Sequence, residues 1–264
     1  RSRDPKVVLR TLATSTPLAA ELVGHAVPLL AWDGVAESAI EALRRSGRRA
    51  AGPLVSALLD ESEDFSVRRR VPRALPDDPD PLVHAALLQG IEADRFEIRF
   101  RCVQALARLR DRDGPPVPRD PVMEQVRREV SVPDTLWRSH RLLDGELHGP
   151  PFGESPAVRR APAALQHVFG LLALVLPPEA LGLCLEGILT RDRQLRGTAL
   201  EYLDGVLPAD VRQRLWPKLE EAEPADRAAA ADPDTALRTL MGSRQRIRTL
   251  LSTRPDGDEE PYQS

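Results

Sequence analysis

Residues 192–207, DRQLRGTALEYLDGVL, decide how the chain is read. Leu195, Ala199, Tyr202 and Leu203 stand at offsets 0, 4, 7 and 8, one stripe of an α-helix. Asp192 is placed to cap the helix start, and Gly205 ahead of Pro208 predicts a left-handed C-cap. The stripe recurs upstream. Val35, Val67 and Ile98 align with Leu195, and Ala39, Val71 and Cys102 with Ala199. Ala42, Ala74 and Ala105 align with Tyr202, and Leu43, Leu75 and Leu106 with Leu203. The successive spacings are 32, 31 and 97 residues, the last about three periods. The preceding helix repeats as well. Leu88-Gln89-Gly90-Ile91 and Leu185-Glu186-Gly187-Ile188 stand 97 apart, and Pro81 and Pro178 open the two helices at one offset.

A helical hairpin of this length cannot bury its apolar face alone, whereas stacked neighbours can. The period therefore predicts an all-α fold, an α-α superhelix or solenoid of stacked hairpins. Three second-helix starts share a further pattern: Asp64-x-x-Val67-Arg68, Asp94-x-x-x-Ile98-Arg99 and Asp192-x-x-Leu195-Arg196. On these residues the chain resembles the HEAT-repeat family of armadillo-like α-solenoids, over residues 30–110 and 177–220. The resemblance implies that each Arg pairs with the turn acid of its own or a neighbouring repeat. Two positions depart from the family pattern. Ala36 stands where Arg is expected, and Pro72 should kink or shorten its helix.

A second, narrower resemblance rests on His167-Val-Phe-Gly-Leu-Leu-Ala-Leu with Pro177-Pro178, followed by Leu195-Arg-Gly-Thr-Ala-Leu-Glu-Tyr-Leu-Asp204 and Val206-Leu-Pro208. These stretches are similar to HEAT-type C-terminal regions of bacterial membrane proteins of the ATP/ADP antiporter type. That implies a cytoplasmic domain tethered to the inner membrane in a longer parent. The start at Arg1 and not Met reads as a processed product or a piece of a longer protein.

Composition agrees with helix-on-helix packing. Leu and Ala dominate, only 4% of residues are aromatic, and no alternating β-branched run suggests a strand. A net charge of −3 gives no overall pull toward nucleic acid or an anionic membrane. The basic residues are nearly all Arg, with Lys6 and Lys218 the only lysines, which reads as GC-rich coding. Cys102 and Cys184 lie in apolar helical patterns, form no CxxC, and read as buried free thiols of a reducing compartment. The N-terminal residues do not read as a signal peptide, so none is expected, and the apolar run 168–176 is far shorter than the roughly 20 residues that span a bilayer.

The pattern predicts helices over 6–13, 18–30 (bent or ended near Pro28), 35–45 with Gly47 as C-cap, 53–59, 66–75, 82–92 and 96–109. Further helices are expected over 121–137 with a break near Pro133, 156–176 and 208–220, with a basic capping helix over 235–252. Residues 113–121 carry four prolines and cannot be helical, and 142–155 is a Gly- and Pro-rich loop. The expected organisation is N-terminal repeats over 1–114, a degenerate or inserted Pro/Gly-rich segment over 115–156, C-terminal repeats and cap over 157–252, and a disordered tail over 253–264.

No motif of nucleophilic or acid–base catalysis stands in a usable context, so the expectation is a non-enzyme with no cofactor. His140 and His148, with Asp144 and Glu146 between them, are the closest histidine pair, but Gly145 breaks the helix a zinc pair would need, and no metal is expected. The one candidate surface is a series of arginines. Arg68, Arg69, Arg73, Arg99 and Arg196 could line up along stacked second helices and meet phosphate or an acidic partner. The functional expectation is a scaffold or regulatory domain that binds a partner protein. The alternative is a nucleic-acid- or nucleotide-binding solenoid that uses the arginines as a ladder. A helical-repeat lyase for tetrapyrrole attachment would share the repeats, but no catalytic group can be named for it.

Overall fold

A computed structural model of the chain describes residues 4–13, 16–143, 156–190 and 192–221. The described residues are helical with no strand. The predicted helix over 235–252, the tail, His148 and most of the 142–155 loop lie outside them.

In the N-terminal half the helices are α1 (Pro5–Leu12), α2 (Ala20–Ala26), a 3-10 turn (Val27–Ala31), α3 (Asp33–Arg45) and α4 (Arg48–Leu59). They are followed by α5 (Phe65–Arg68), α6 (Val71–Ala74), α7 (Pro81–Gly90) and α8 (Phe96–Arg110). α2, α4 and α7 pack in succession as one layer. α1, α3, α6 and α8 pack in succession as a second layer, with α5 against the 3-10 turn. The rest of the chain supplies α9 (Arg119–Ser131), α10 (Asp134–Ser139), α11 (Pro156–Arg160) and α12 (Ala163–Ala173). α13 (Pro178–Leu189), α14 (Arg193–Val206) and α15 (Ala209–Glu220) complete it. α12 packs on α8, α9 and α13; α13 packs on α14, and α9 on α15. The 115–156 segment thus contributes α9 and α10 to the body of the protein.

The repeated stripe is buried in all four copies. Val35, Val67, Ile98 and Leu195, then Ala39, Val71, Cys102 and Ala199, then Leu43, Leu75, Leu106 and Leu203, are all in the core. Ala42, Ala74 and Ala105 are buried too, while the larger Tyr202 is only partly covered. Both cysteines are buried free thiols, and burial pushes Cys184 up to about 12.

Several boundaries differ from the sequence pattern, each for a local reason. Gly205 lies inside α14 and is not a left-handed cap; the helix runs to Val206 and ends at Leu207 in an extended conformation. Gly47 does take a positive φ, and the sharp reversal it allows starts α4 at Arg48, ahead of Pro53. Pro53 therefore sits inside its helix, five residues after the start. Pro72 divides the 66–75 helix into α5 and α6, because proline lacks the N–H that would continue the ladder. Pro162 separates α11 from α12 in the same way.

The helix ends are satisfied by a recurring pair of side chains. Asp64 accepts from the Ser66 N–H at 2.6 Å, Asp80 from Leu82 at 2.8 Å, and Asp192 from Gln194 at 2.9 Å and Leu195 at 3.2 Å. These cap the starts of α5, α7 and α14. Arginines serve the ends. Arg68 donates to Leu58 O at 3.1 Å, Arg99 to Ala93 O and Asp94 O at 2.8 Å each, and Arg196 to Ile188 O and to Leu219 O at 2.7 Å. These carbonyls follow or end α4, α7, α13 and α15, where no amide of the helix remains to bond them. The expected pairing with turn carboxylates is therefore replaced by pairing with backbone carbonyls. A second set of arginines laces neighbours in the layer. Arg45 donates to Leu12 O at 2.8 Å, Arg44 to Arg73 O, Arg108 to Pro72 O at 2.8 Å, and Arg110 to Ala173 O.

Two expectations test this packing. Leu203 is fully buried, so Leu203→Ala should lower unfolding stability by about 2–5 kcal/mol, read by urea denaturation; a change below about 0.5 kcal/mol would mean that the stripe is misplaced. At Gly90, an added Cβ would meet Cys102 Sγ on α8. Gly90→Ala should therefore cost about 1–3 kcal/mol, and Cys102→Ala should recover much of that loss in the double variant.

Candidate functional site

The arginines of the candidate surface are engaged within the protein. Arg69 approaches Glu97 at 3.8 Å and Asp33 at 4.0 Å, and its guanidinium stands 6.0 Å from the Phe65 ring centroid. Arg73 donates to Glu37 at 2.6 Å. Its neighbour Arg70 donates to Asp33 at 2.6 Å and Leu30 O at 2.7 Å. Arg68, Arg99 and Arg196 hold the carbonyls given above. The structure brings Arg69 and Arg99 to opposite ends of one buried charge cluster on α8; Arg68, Arg73 and Arg196 lie outside it.

That cluster is the most concentrated polar chemistry in the described residues. It forms because α8 is covered on both faces. Ile98, Cys102 and Leu106 face the repeat core, while Glu97, Phe100, Arg101 and Gln104 on the other faces are buried as well. α12 is buried almost all round and supplies His167. α9 supplies Gln125 and Glu129, and the chain after α10 supplies His140.

Glu129 is the hub. Its Oε1 accepts from Arg99 Nε at 2.6 Å and from Gln125 Nε2 at 3.0 Å. His167 Nε2 lies 3.3 Å away, an electrostatic contact without the alignment of a hydrogen bond. Burial acts to raise the Glu129 pKa, but His167 and Arg99 outweigh it and hold the carboxyl at about 2. Glu97 forms the second centre, 3.8 Å from Arg69 and 3.7 Å from Arg101, and it also accepts the Leu143 N–H at 3.2 Å. An aromatic group adjoins the Glu129 centre. Phe96 stacks on His140 and meets His167 edge-on, with centroids 3.9 Å and 5.2 Å away, and Phe100 lies 5.9 Å from His167.

A carboxylate held at about 2, with an Arg and a Gln on one oxygen, is a poor proton acceptor near neutral pH. Cys102 and Cys184 are raised by burial and are correspondingly weak nucleophiles. Among the described residues no group of three or more His, Cys, Asp or Glu side chains is placed to hold a metal ion. No helix among them is long and apolar enough to cross a membrane. His140 belongs with His167 and Phe96, a grouping that sequence reasoning missed. The three residues come from distant segments, and no spacing rule links 96, 140 and 167.

Removing the hub should leave Arg99 buried without its carboxylate. Glu129→Gln should destabilise the fold by about 3–5 kcal/mol in denaturant titrations. Glu129 has a depressed pKa in the folded state, so its contribution is full above about 4.5 and is lost as pH falls toward about 2. Glu129→Gln should lack that part of the acid transition, and an unchanged acid profile would show that the pair is not formed. No protein-family model matches the chain, and no curated protein sequence matches it.

Proposed function

We propose that the chain is a HEAT-like α-solenoid acting as a non-catalytic scaffold or regulatory domain that binds a partner protein, either free-standing or as the domain of a longer parent. One observation carries this reading: the same stripe is buried at the same register in α3, the α5–α6 pair, α8 and α14. Units of this kind present a surface that extends with each copy, and their non-stripe positions are free to vary with the partner. α14 exposes Arg193, Glu201 and Asp204 between its buried positions, a mixed-charge strip suited to recognising another protein. The arginines that would form a phosphate ladder are used on carbonyls and carboxylates of the chain itself, which weighs against the nucleic-acid reading.

The test has two arms. A protein captured by the purified chain from its native cell extract should bind it directly after purification, with a dissociation constant of about 1 μM or tighter. The charge-reversed variant Arg193→Glu/Glu201→Arg should weaken that binding about tenfold or more at an unchanged melting temperature. Short duplex DNA at about 50 mM salt should not bind. Micromolar DNA binding that steepens as salt is lowered, with no direct protein partner, would overturn the proposal.

A further inference from the structure

Residues 140–143, with α10 before them, form a strap whose end lies against α8 at Phe96 and Glu97. The strap is fastened at two points of different chemistry. At its start, Lys218 of α15 donates to Val132 O at 3.1 Å and to Asp134 at 2.9 Å, and its ammonium lies 4.7 Å from the Trp137 ring centroid. At its end, His140 lies flat on Phe96, centroids 3.9 Å apart and planes 12° apart, and the Leu143 N–H donates to Glu97. The first fastening is a permanent cation. The second depends on a titratable ring.

His140 is buried, and its Nδ1 has no hydrogen-bond partner. The charged and titratable groups that act on its ring are Arg99 from α8, Glu129 from α9 and His167 from α12, and the neighbouring Arg141 donates to the His140 carbonyl at 2.9 Å. Glu129 is already engaged by Arg99 and Gln125 and stands against His167. A proton on His140 would add a cation beside Arg99 where one carboxylate already serves several partners. The imidazolium would gain some attraction to the Phe96 face and to Glu129, but a flat aromatic contact returns less than burying an incompletely paired charge costs.

We propose that His140 is a pH-sensitive latch: neutral, it holds residues 140–143 against α8; protonated, it leaves Phe96 and releases the strap. Release uncovers Phe96 and Glu97 while α10 stays on Lys218. Burial lowers the His140 pKa, with Arg99 and His167 adding to the shift and Glu129 opposing it. A histidine that holds its proton less readily in place than when free favours the closed strap fully above about pH 6.5 and progressively less below it. Glu129 stays ionised throughout that range, so the opening does not come from the hub.

Amide hydrogen exchange on the whole chain tests the latch, with rates normalised to intrinsic exchange at each pH. Protection of the Leu143 amide, which donates to Glu97, should fall between about pH 6.5 and 5.5, by up to about fivefold for a single proton, while α12 keeps its protection. His140→Phe retains a ring on Phe96 and removes the titration, so its strap should stay protected across the range. The His140 imidazole resonance in the unmodified protein gives an independent arm, and its midpoint should lie below that of a free histidine, at or below the range in which protection is lost. Protection that is flat with pH, protection that falls equally in His140→Phe, or a resonance midpoint at or above about 6.5 would overturn the proposal.

Discussion

Helix ends leave backbone carbonyls without partners, and this protein answers that constraint mainly with arginine. Arg68, Arg99 and Arg196 reach back from the second helix of a pair to the carbonyls at the end of the first. Arg44, Arg45, Arg108 and Arg110 reach sideways from a last turn to the last turn of a neighbour. Both sets bring positive charge to helix C-termini, where the helix dipole favours it. Short helices make this necessary. α5 and α6 have four residues each, so most of their carbonyls lie in a terminal turn. A guanidinium can serve several acceptors at once, as Arg99 does with Glu129 and two carbonyls, and a lysine cannot match that planar fork. The near-absence of lysine, which composition alone reads as coding bias, thus coincides with a use that arginine fills better.

The same reach draws charge into the centre. Arg99 touches turn carbonyls with one end and Glu129 with the other, so α9 is docked onto α8 through a side chain that already closes a repeat. A buried pair of this kind adds little net stability compared with apolar packing, but it penalises misdocking heavily, because an unpaired partner would remain in the core. The interdigitated charges Arg69, Glu97 and Arg101 do the same between the α5–α6 region and α8. Register between the two halves is therefore set by charge as well as by apolar contact.

The buried stripe was legible in the sequence because its information is local. Offsets of 4, 7 and 8 lie within one helix in α3, α8 and α14 and cross the α5–α6 break in the remaining copy, and Ala39, Cys102, Ala199 and their equivalents are buried as that spacing requires. Asp192 as an N-cap was legible for the same reason, since its acceptor and the amides it serves are two and three residues apart. Gly205 was misread because a glycine before a proline is a stop signal only when the chain turns there, and α14 continues through Val206 before Leu207 turns out into an extended conformation. The arginine acceptors were hidden because carbonyls carry no sequence signature. Arg68 next to Asp64 suggests a carboxylate partner, yet the acceptor is the Leu58 carbonyl. The charge cluster was hidden more completely, since Phe96, Glu129, His140 and His167 meet only after α9, α10 and α12 have folded onto α8.

α8 shows what periodicity omits. Its stripe marks Ile98, Cys102, Ala105 and Leu106 as core and leaves Glu97, Arg101 and Gln104 as an apparent polar outer face. Those polar residues are nonetheless buried, with Glu97 engaged by Arg69, Arg101 and the Leu143 N–H, and Arg101 donating to Gln104. A stack of hairpins would present the free faces of its second helices as a continuous groove, but at α8 the chain covers that face itself. The exposed charged surface is consequently divided. α3 on one side exposes Glu37 and Glu41, α14 on the other exposes Arg193 and Glu201, and the stretch between them is occupied. On the proposed partner-binding reading, a partner spanning both sides would have to bridge the covered stretch or displace residues 140–143 from Phe96 and Glu97.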